Sequence, residues 1–190
     1  LPDVAVVPSE NFNTVLYTGT GSSNAITGVG FQPDFTWIKR RNGATSHRIM
    51  DAVRTAAKYL SSNVTNGEDN TTGLFGSFDS DGFTVTGTAN AFNGSSQTYA
   101  AWNWKANGSG SSNTAGSLNS TVSVNADAGF SIVKYVGNQN SAQTIGHGLG
   151  VVPEMMIVKN ISRVKVWAVY HKDIGNEYVL DLSATTAKLD

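Results

Sequence analysis

Phe12-Asn-Thr-Val15-Leu-Tyr17-Thr-Gly19 and Phe130-Ser-Ile-Val133-Lys-Tyr135-Val-Gly137 are two versions of one segment, aligned at a constant offset. A glycine-rich turn follows in each, Gly28-Val-Gly30-Phe31 in the first and Gly146-His-Gly148-Leu149 in the second. Next comes a strand opened by proline, Pro33 to Lys39 against Pro153 to Lys159. Proline has no N–H to give a ladder and belongs at a strand start or sheet edge, so Pro33 and Pro153 are expected to open equivalent strands. A third match sets Tyr59-Leu60 against Tyr178 to Leu180. The first copy then continues through Gly82-Phe-Thr-Val-Thr to Ala101-Trp102-Asn-Trp104-Lys105, and the second has no counterpart before Asp190. A repeat marks one supersecondary unit used in series. The chain is therefore read as a segment of a longer repetitive protein, with a structural or binding role.

Composition narrows the class. Charged residues make up only 14% of the chain, well below the usual quarter, while glycine, serine, threonine and asparagine abound. Hydrophobic residues reach 39% and fall in tight alternating clusters, which fits a small core inside hydroxyl-rich strands and many turns. A net charge of −1 lacks the basic excess of a nucleic-acid-binding face. The absence of cysteine removes disulfides, thiolate metal sites and cysteine nucleophiles together. No stretch approaches the roughly 18 apolar residues of a membrane span, so no membrane insertion is expected.

The pattern predicts an all-β fold of tandem β-sandwich-like modules with short strands and at most one short helix. Residues 1–11 read as an extended lead-in, 12–106 as the first β repeat, 107–117 as a flexible Gly/Ser/Asn linker or long exposed loop, and 118–190 as a second, incomplete repeat. Asn42-Gly43 signals a hairpin because both residues tolerate positive φ. Asp51 to Leu60 carries the helix candidate, with Asp51 as its cap, and the alternative is a loop leading into a Tyr59-Leu60 strand. Ala100, Trp102 and Trp104 share one face of a well-defined strand.

The search for chemistry yields little. His47, His147 and His171 lack metal-ligand spacing, and no metal or cofactor is expected. Asp79-Ser-Asp81-Gly82 reads as turn chemistry, not a calcium loop. The carboxylates form no pair of the kind a glycosidase needs, so no catalytic residue is assigned. Lys39, Arg40, Arg41, His47 and Arg48 form the one local basic cluster, across the predicted hairpin. They are the candidate binding residues, for an acidic polysaccharide or a lipopolysaccharide phosphate, against the plainer reading of a solvated hairpin tip. Trp37, Trp102, Trp104 and Trp167 are read as core packing before sugar stacking.

The segments Phe12 to Gly21, Ile26 to Asp34 and Trp37-Ile-Lys39, with Ala128 to Tyr135, Gly146 to Gly150, Pro153 to Asn160 and Trp167 to His171, together resemble a repeat family of tailed-phage virion proteins common in marine and cyanobacterial phages. The resemblance covers nearly the whole chain from Asn11 and carries no active-site motif. It implies a non-enzymatic virion structural protein: a module of a tail fibre, spike or head appendage that contributes to host attachment and is assembled in the bacterial cytoplasm. It also implies a homotrimer, with other virion proteins and a host surface glycan as partners. The alternatives are a depolymerase of the host envelope polysaccharide and a cellular surface adhesin.

Overall fold

The computed structural model describes residues 6–70 and 73–186. Its strands are β1 (Phe12–Thr18), β2 (Asn24–Ile26), β3 (Phe35–Arg40), β4 (Arg48–Asp51), β5 (Phe75–Asp79), β6 (Gly82–Val85), β7 (Thr98–Trp104), β8 (Ser111–Asn113), β9 (Ser120–Asn125), β10 (Phe130–Tyr135), β11 (Met155–Lys159), β12 (Trp167–His171) and β13 (Leu180–Asp181). Helical structure among the described residues is limited to two single 3-10 turns, Pro8–Glu10 and Lys172–Ile174. The all-β expectation holds.

The first repeat is a sandwich of two antiparallel sheets, ordered β1-β7-β3-β4 and β2-β6-β5. Alternation along each strand sends one side chain in and the next out. From the first sheet Ile38, Met50, Tyr99 and Ala101 point inward, and from the second Ile26, Phe75, Phe83 and Val85 meet them. Each large side chain so buried contributes about 1.5–3 kcal/mol. Two polar groups inside are paired: Tyr99 Oη donates to the Asn90 carbonyl and accepts from the Gly94 N–H, each at 2.8 Å, and Thr36 Oγ1 lies 3.0 Å from Asn103 Oδ1.

The tryptophans of β7 face the other way. Trp102 and Trp104 lie on the outer face, opposite Tyr99, Ala101 and Asn103, so they are not part of the sandwich core. They form a second aromatic layer, with Trp104 packed 4.7 Å from Phe12, 5.2 Å from Phe35 and 6.0 Å from Phe130 of the second repeat, and Trp102 6.4 Å from Trp37.

The second repeat is built as two three-stranded sheets, β10-β9-β8 and β11-β12-β13. Its β11–β12 hairpin repeats the register of the β3–β4 hairpin. Phe35 faces Asp51 in the first and Met155 faces His171 in the second, 120 residues on at both positions. The closing hydrogen bonds match as well, Ala52 N–H to the Asp34 carbonyl and Lys172 N–H to the Glu154 carbonyl, both 2.8 Å. Ile49 bridges Leu60 as Val169 pairs with Leu180. Pro33 and Pro153 thus precede equivalent strands, as expected. The glycine turn aligns differently from the sequence match: Gly28 and Gly30 have φ of 87°, and their conformational equivalents are Gly148 and Gly150 at 76° and 74°. Positive φ is accessible to glycine without a steric cost, so conformation, not residue similarity, sets the alignment here.

Four other local expectations need correction. Pro8–Glu10 of the lead-in is a 3-10 turn, not extended. Asp51 to Leu60 forms no helix and takes the alternative, a loop leading into Tyr59-Leu60; Ile49 and Leu60 exchange backbone bonds of 2.8 and 2.9 Å, which draws the chain back along β4. The 107–117 stretch contains β8, whose backbone pairs with β9 whatever its side chains. The Asn42-Gly43 hairpin exists, but neither residue has positive φ and the loop spans residues 41–47. Lys39 holds it instead, with Nζ donating to the Arg40 and Gly43 carbonyls at 2.8 and 3.3 Å. Lys159, its equivalent, donates to the carbonyls of Asn160, Arg163 and Lys165.

Trp167 locks the repeats together. It is 5% exposed, packs with Ile49 and Leu60 of the first copy, and donates Nε1–H to the carbonyls of Ser61 (3.0 Å) and Val64 (3.2 Å). Trp167→Ala is expected to cost about 3–5 kcal/mol of stability, as a large cavity and two lost bonds require. Chemical denaturation followed by circular dichroism measures it; a loss below 1 kcal/mol would mean the two copies fold without this joint.

A candidate binding cleft between the repeats

The chain reaches the cleft by turning back on itself. The Ile49–Leu60 bridge, and a second between Tyr59 and Asp69, place residues 59–70 beside β4. The tip of the β11–β12 hairpin then hooks over them: Glu68 N–H donates to the Ile161 carbonyl (2.7 Å), and Lys165 N–H and Lys159 Nζ donate to the Thr65 carbonyl (2.9 and 3.1 Å). Gly67 permits this approach, since a Cβ there would lie 2.8 Å from the Ile161 oxygen. The two segments enclose an open cleft of about 670 Å³, lined by Arg48, Tyr59, Asn66, Glu68, Asp69 and Arg163 among others.

Three of its charged groups, Arg48, Glu68 and Asp69, are held by partners within the chain. Arg54, 6% exposed, bonds Asp51 through Nε at 2.5 Å and Glu68 through Nη1 at 3.3 Å, and Lys58 reaches Glu68 at 2.9 Å. Tyr59 Oη donates to Asp69 Oδ2 at 2.7 Å. The Arg48 guanidinium lies over the Tyr59 ring, 4.6 Å from its centroid, and bonds Ser61 Oγ and the His47 carbonyl. Burial lowers the Arg48 pKa, an effect that neighbouring Tyr59 and Asp69 only partly offset; a guanidinium nonetheless stays charged at neutral pH. Glu68 and Asp69 are sequence neighbours engaged with different partners, Glu68 with Arg54 and Lys58, Asp69 with Tyr59. The cleft therefore offers amide and guanidinium donors, carboxylate acceptors and one aromatic ring, a surface matched to a hydroxyl-rich ligand.

The basic cluster does not form one patch. Strand alternation splits it, as the period of two demands. Lys39 turns to the hairpin carbonyls and His47 to Trp37, whose Nε1–H donates to His47 Nδ1 at 2.8 Å. Arg48 points through the opposite face into the cleft, and Arg40 bonds Asn42 and Gln97. Arg41 is exposed at the tip. Of the five, Arg48 alone lines the cleft; Tyr59, Glu68, Asp69 and Arg163 were not singled out as binding residues from the sequence, because nothing local signals that a loop and a distant hairpin tip meet. The turn reading of Asp79 and Asp81 fits the geometry: Asp81 accepts from the N–H groups of Gly28 (3.0 Å) and Gly30 (2.6 Å), which lowers its pKa, and Asp79 accepts from Ser77 and Thr84.

The chain belongs to the family described as Domain of unknown function (DUF7483), whose model matches residues 7–190. Neither a curated protein nor a solved structure matches the chain.

Burial, reinforced by the nearby Lys39 charge, lowers the His47 pKa below its ordinary value. The unfolded chain then binds a proton more readily, so stability is full above about pH 6.5 and falls as the pH drops towards the folded value. Thermal melts between pH 7.5 and 5.5 should show this decline, and His47→Gln should flatten it. Equal slopes for the two proteins would mean His47 stays protonated-competent in the fold.

Proposed function

We propose that the chain is a non-enzymatic structural module of a tailed-phage virion appendage, a tail fibre, spike or head appendage, contributing to host-surface attachment. The observation that carries the reading is the tandem arrangement: two copies of one β hairpin, each clamped by an equivalent lysine, joined around the buried Trp167. Serial β units suit an elongated appendage whose stability sums over unit and interface contributions. The sequence resemblance points to the same class of protein. The seam between the units carries the polar cleft, whose Arg48, Asn66, Asp69 and Arg163 would receive the hydroxyls of a host surface glycan. Homotrimeric assembly with other virion proteins completes the reading.

The test is to locate the protein. Antibodies raised to it should decorate appendages of intact virus particles from the culture carrying the gene, and sedimentation of the full chain at micromolar concentration should give the mass of a trimer. Label confined to a cell envelope would replace this reading with that of a cellular adhesin. Steady release of reducing ends from host polysaccharide, abolished by Glu68→Gln or Asp69→Asn, would replace it with that of a depolymerase.

A further inference from the structure

The cleft between the repeats is unevenly charged. Arg48, Arg54, Lys58 and Arg163 stand in it or directly behind its wall against Asp51, Glu68 and Asp69, four cations to three carboxylates, in a chain whose net charge is −1. The carboxylates are the groups with strong partners. Glu68 is bonded by Arg54 at 3.3 Å and Lys58 at 2.9 Å, Asp51 by Arg54 at 2.5 Å, and Asp69 accepts from Tyr59 Oη at 2.7 Å. The two arginines of the lining are not matched in this way. Among the described residues neither Arg48 nor Arg163 comes within salt-bridge distance of a carboxylate.

Arg48 is anchored through one nitrogen. Its Nη1 donates to the His47 carbonyl at 3.2 Å and to Ser61 Oγ, whereas Nη2 has no acceptor among the described residues and Nε is buried without one. A guanidinium left with spare donors in a partly desolvated site is a receptor for the paired oxygens of a carboxylate or phosphate. Arg163 reaches the same cleft from the other repeat. It is exposed on the β11–β12 hairpin tip, which the bond from Glu68 N–H to the Ile161 carbonyl pins in place. The backbone carbonyl of Arg163 is held by Lys159 Nζ at 3.5 Å, while its guanidinium has no partner among the described residues. Stacking has less to offer here. The Tyr59 ring is already packed, with the Arg48 guanidinium 4.6 Å and the Phe92 ring 5.4 Å from its centroid.

We infer that the cleft selects an acidic saccharide over a neutral one: Arg48 and Arg163 bind its carboxylate or phosphate group, and Asn66 and Asp69 bind its hydroxyls. The inference rests on the reading of the cleft as a glycan site and is independent of any virion.

Titration calorimetry of the full chain with matched probes tests it. Oligogalacturonate carries a carboxylate on every unit, its methyl ester keeps the sugar and loses the charge, and a mannose phosphate carries the other anion. Saturable binding of an acidic probe is expected, roughly tenfold or more tighter than that of the ester. Raising sodium chloride to about 0.5 M should weaken it, because salt screens exposed charges. Arg163→Gln should lose roughly tenfold in affinity with an unchanged melting temperature, since this guanidinium holds no part of the fold, and Arg163→Lys should recover part of the loss. Whichever acidic probe binds tighter identifies the anionic group. Equal binding of acid and ester would overturn the inference and leave a cleft for neutral glycans, with the attachment reading intact. Undiminished binding by Arg163→Gln would overturn it as well. So would the failure of both acidic probes at millimolar concentration; if the ester failed too, the glycan reading of the cleft would fall with it, while the antibody label decides the virion assignment separately.

Discussion

The pairing of β7 with both β1 and β3 is the constraint on which the first repeat depends. A strand from residues 98–104 enters between two strands that end at residues 18 and 40, and its register decides which side chains become core. Tyr99 and Ala101 go inward with Ile38 and Met50, while Trp102 and Trp104 go outward to meet Phe12, Phe35 and Phe130. A slip of one residue would exchange the two sets and put tryptophans where alanine fits. The closure entropy of so long a loop is set against two full ladders and two apolar faces.

The two repeats share a device and differ in its use. Lys39 and Lys159 each fold an ammonium over the carbonyls of their hairpin loop, a substitute for a tight turn. One position, 120 residues apart in the two hairpins, has two fates. In the first copy it is His47, which accepts a bond from Trp37 inside the same unit. In the second it is Trp167, which crosses to Ser61 and Val64 of the other unit. One substitution at an equivalent site turns an internal contact into the joint between units.

That joint also creates the cleft. Because the hairpin tip of the second copy hooks onto residues 65 and 68 of the first, buried ion pairs of Arg54 with Asp51 and Glu68 sit directly beneath a surface shared by both copies. Such pairs add little net stability but strongly penalise any arrangement that leaves one charge alone, so they fix the loop in a single geometry. Glu68 in the lining is thereby held by Arg54 and Lys58, which lie outside the cleft.

The repeat, the all-β class and the proline-opened strands were legible in the sequence because they depend on period, turn residues and the missing N–H of proline, which act over a few residues. The pairing of Gly28 and Gly30 with Gly148 and Gly150 was not, since backbone conformation leaves no mark when every candidate is glycine. The strand character of Ser111–Asn113 was hidden for a related reason: its ladder with β9 is made by backbone alone. The basic cluster was legible as composition, but His47, at the end of the hairpin loop, turns to Trp37 while Arg48, the first residue of β4, turns to the cleft, and only the fold shows what each meets. The cleft belonged entirely to tertiary structure, because Tyr59, Glu68 and Arg163 come together through a chain reversal and a docking contact over about a hundred residues. Local chemistry decided what each segment could form; the long-range burial of Trp167 and the closure by β7 decided which of those segments became neighbours.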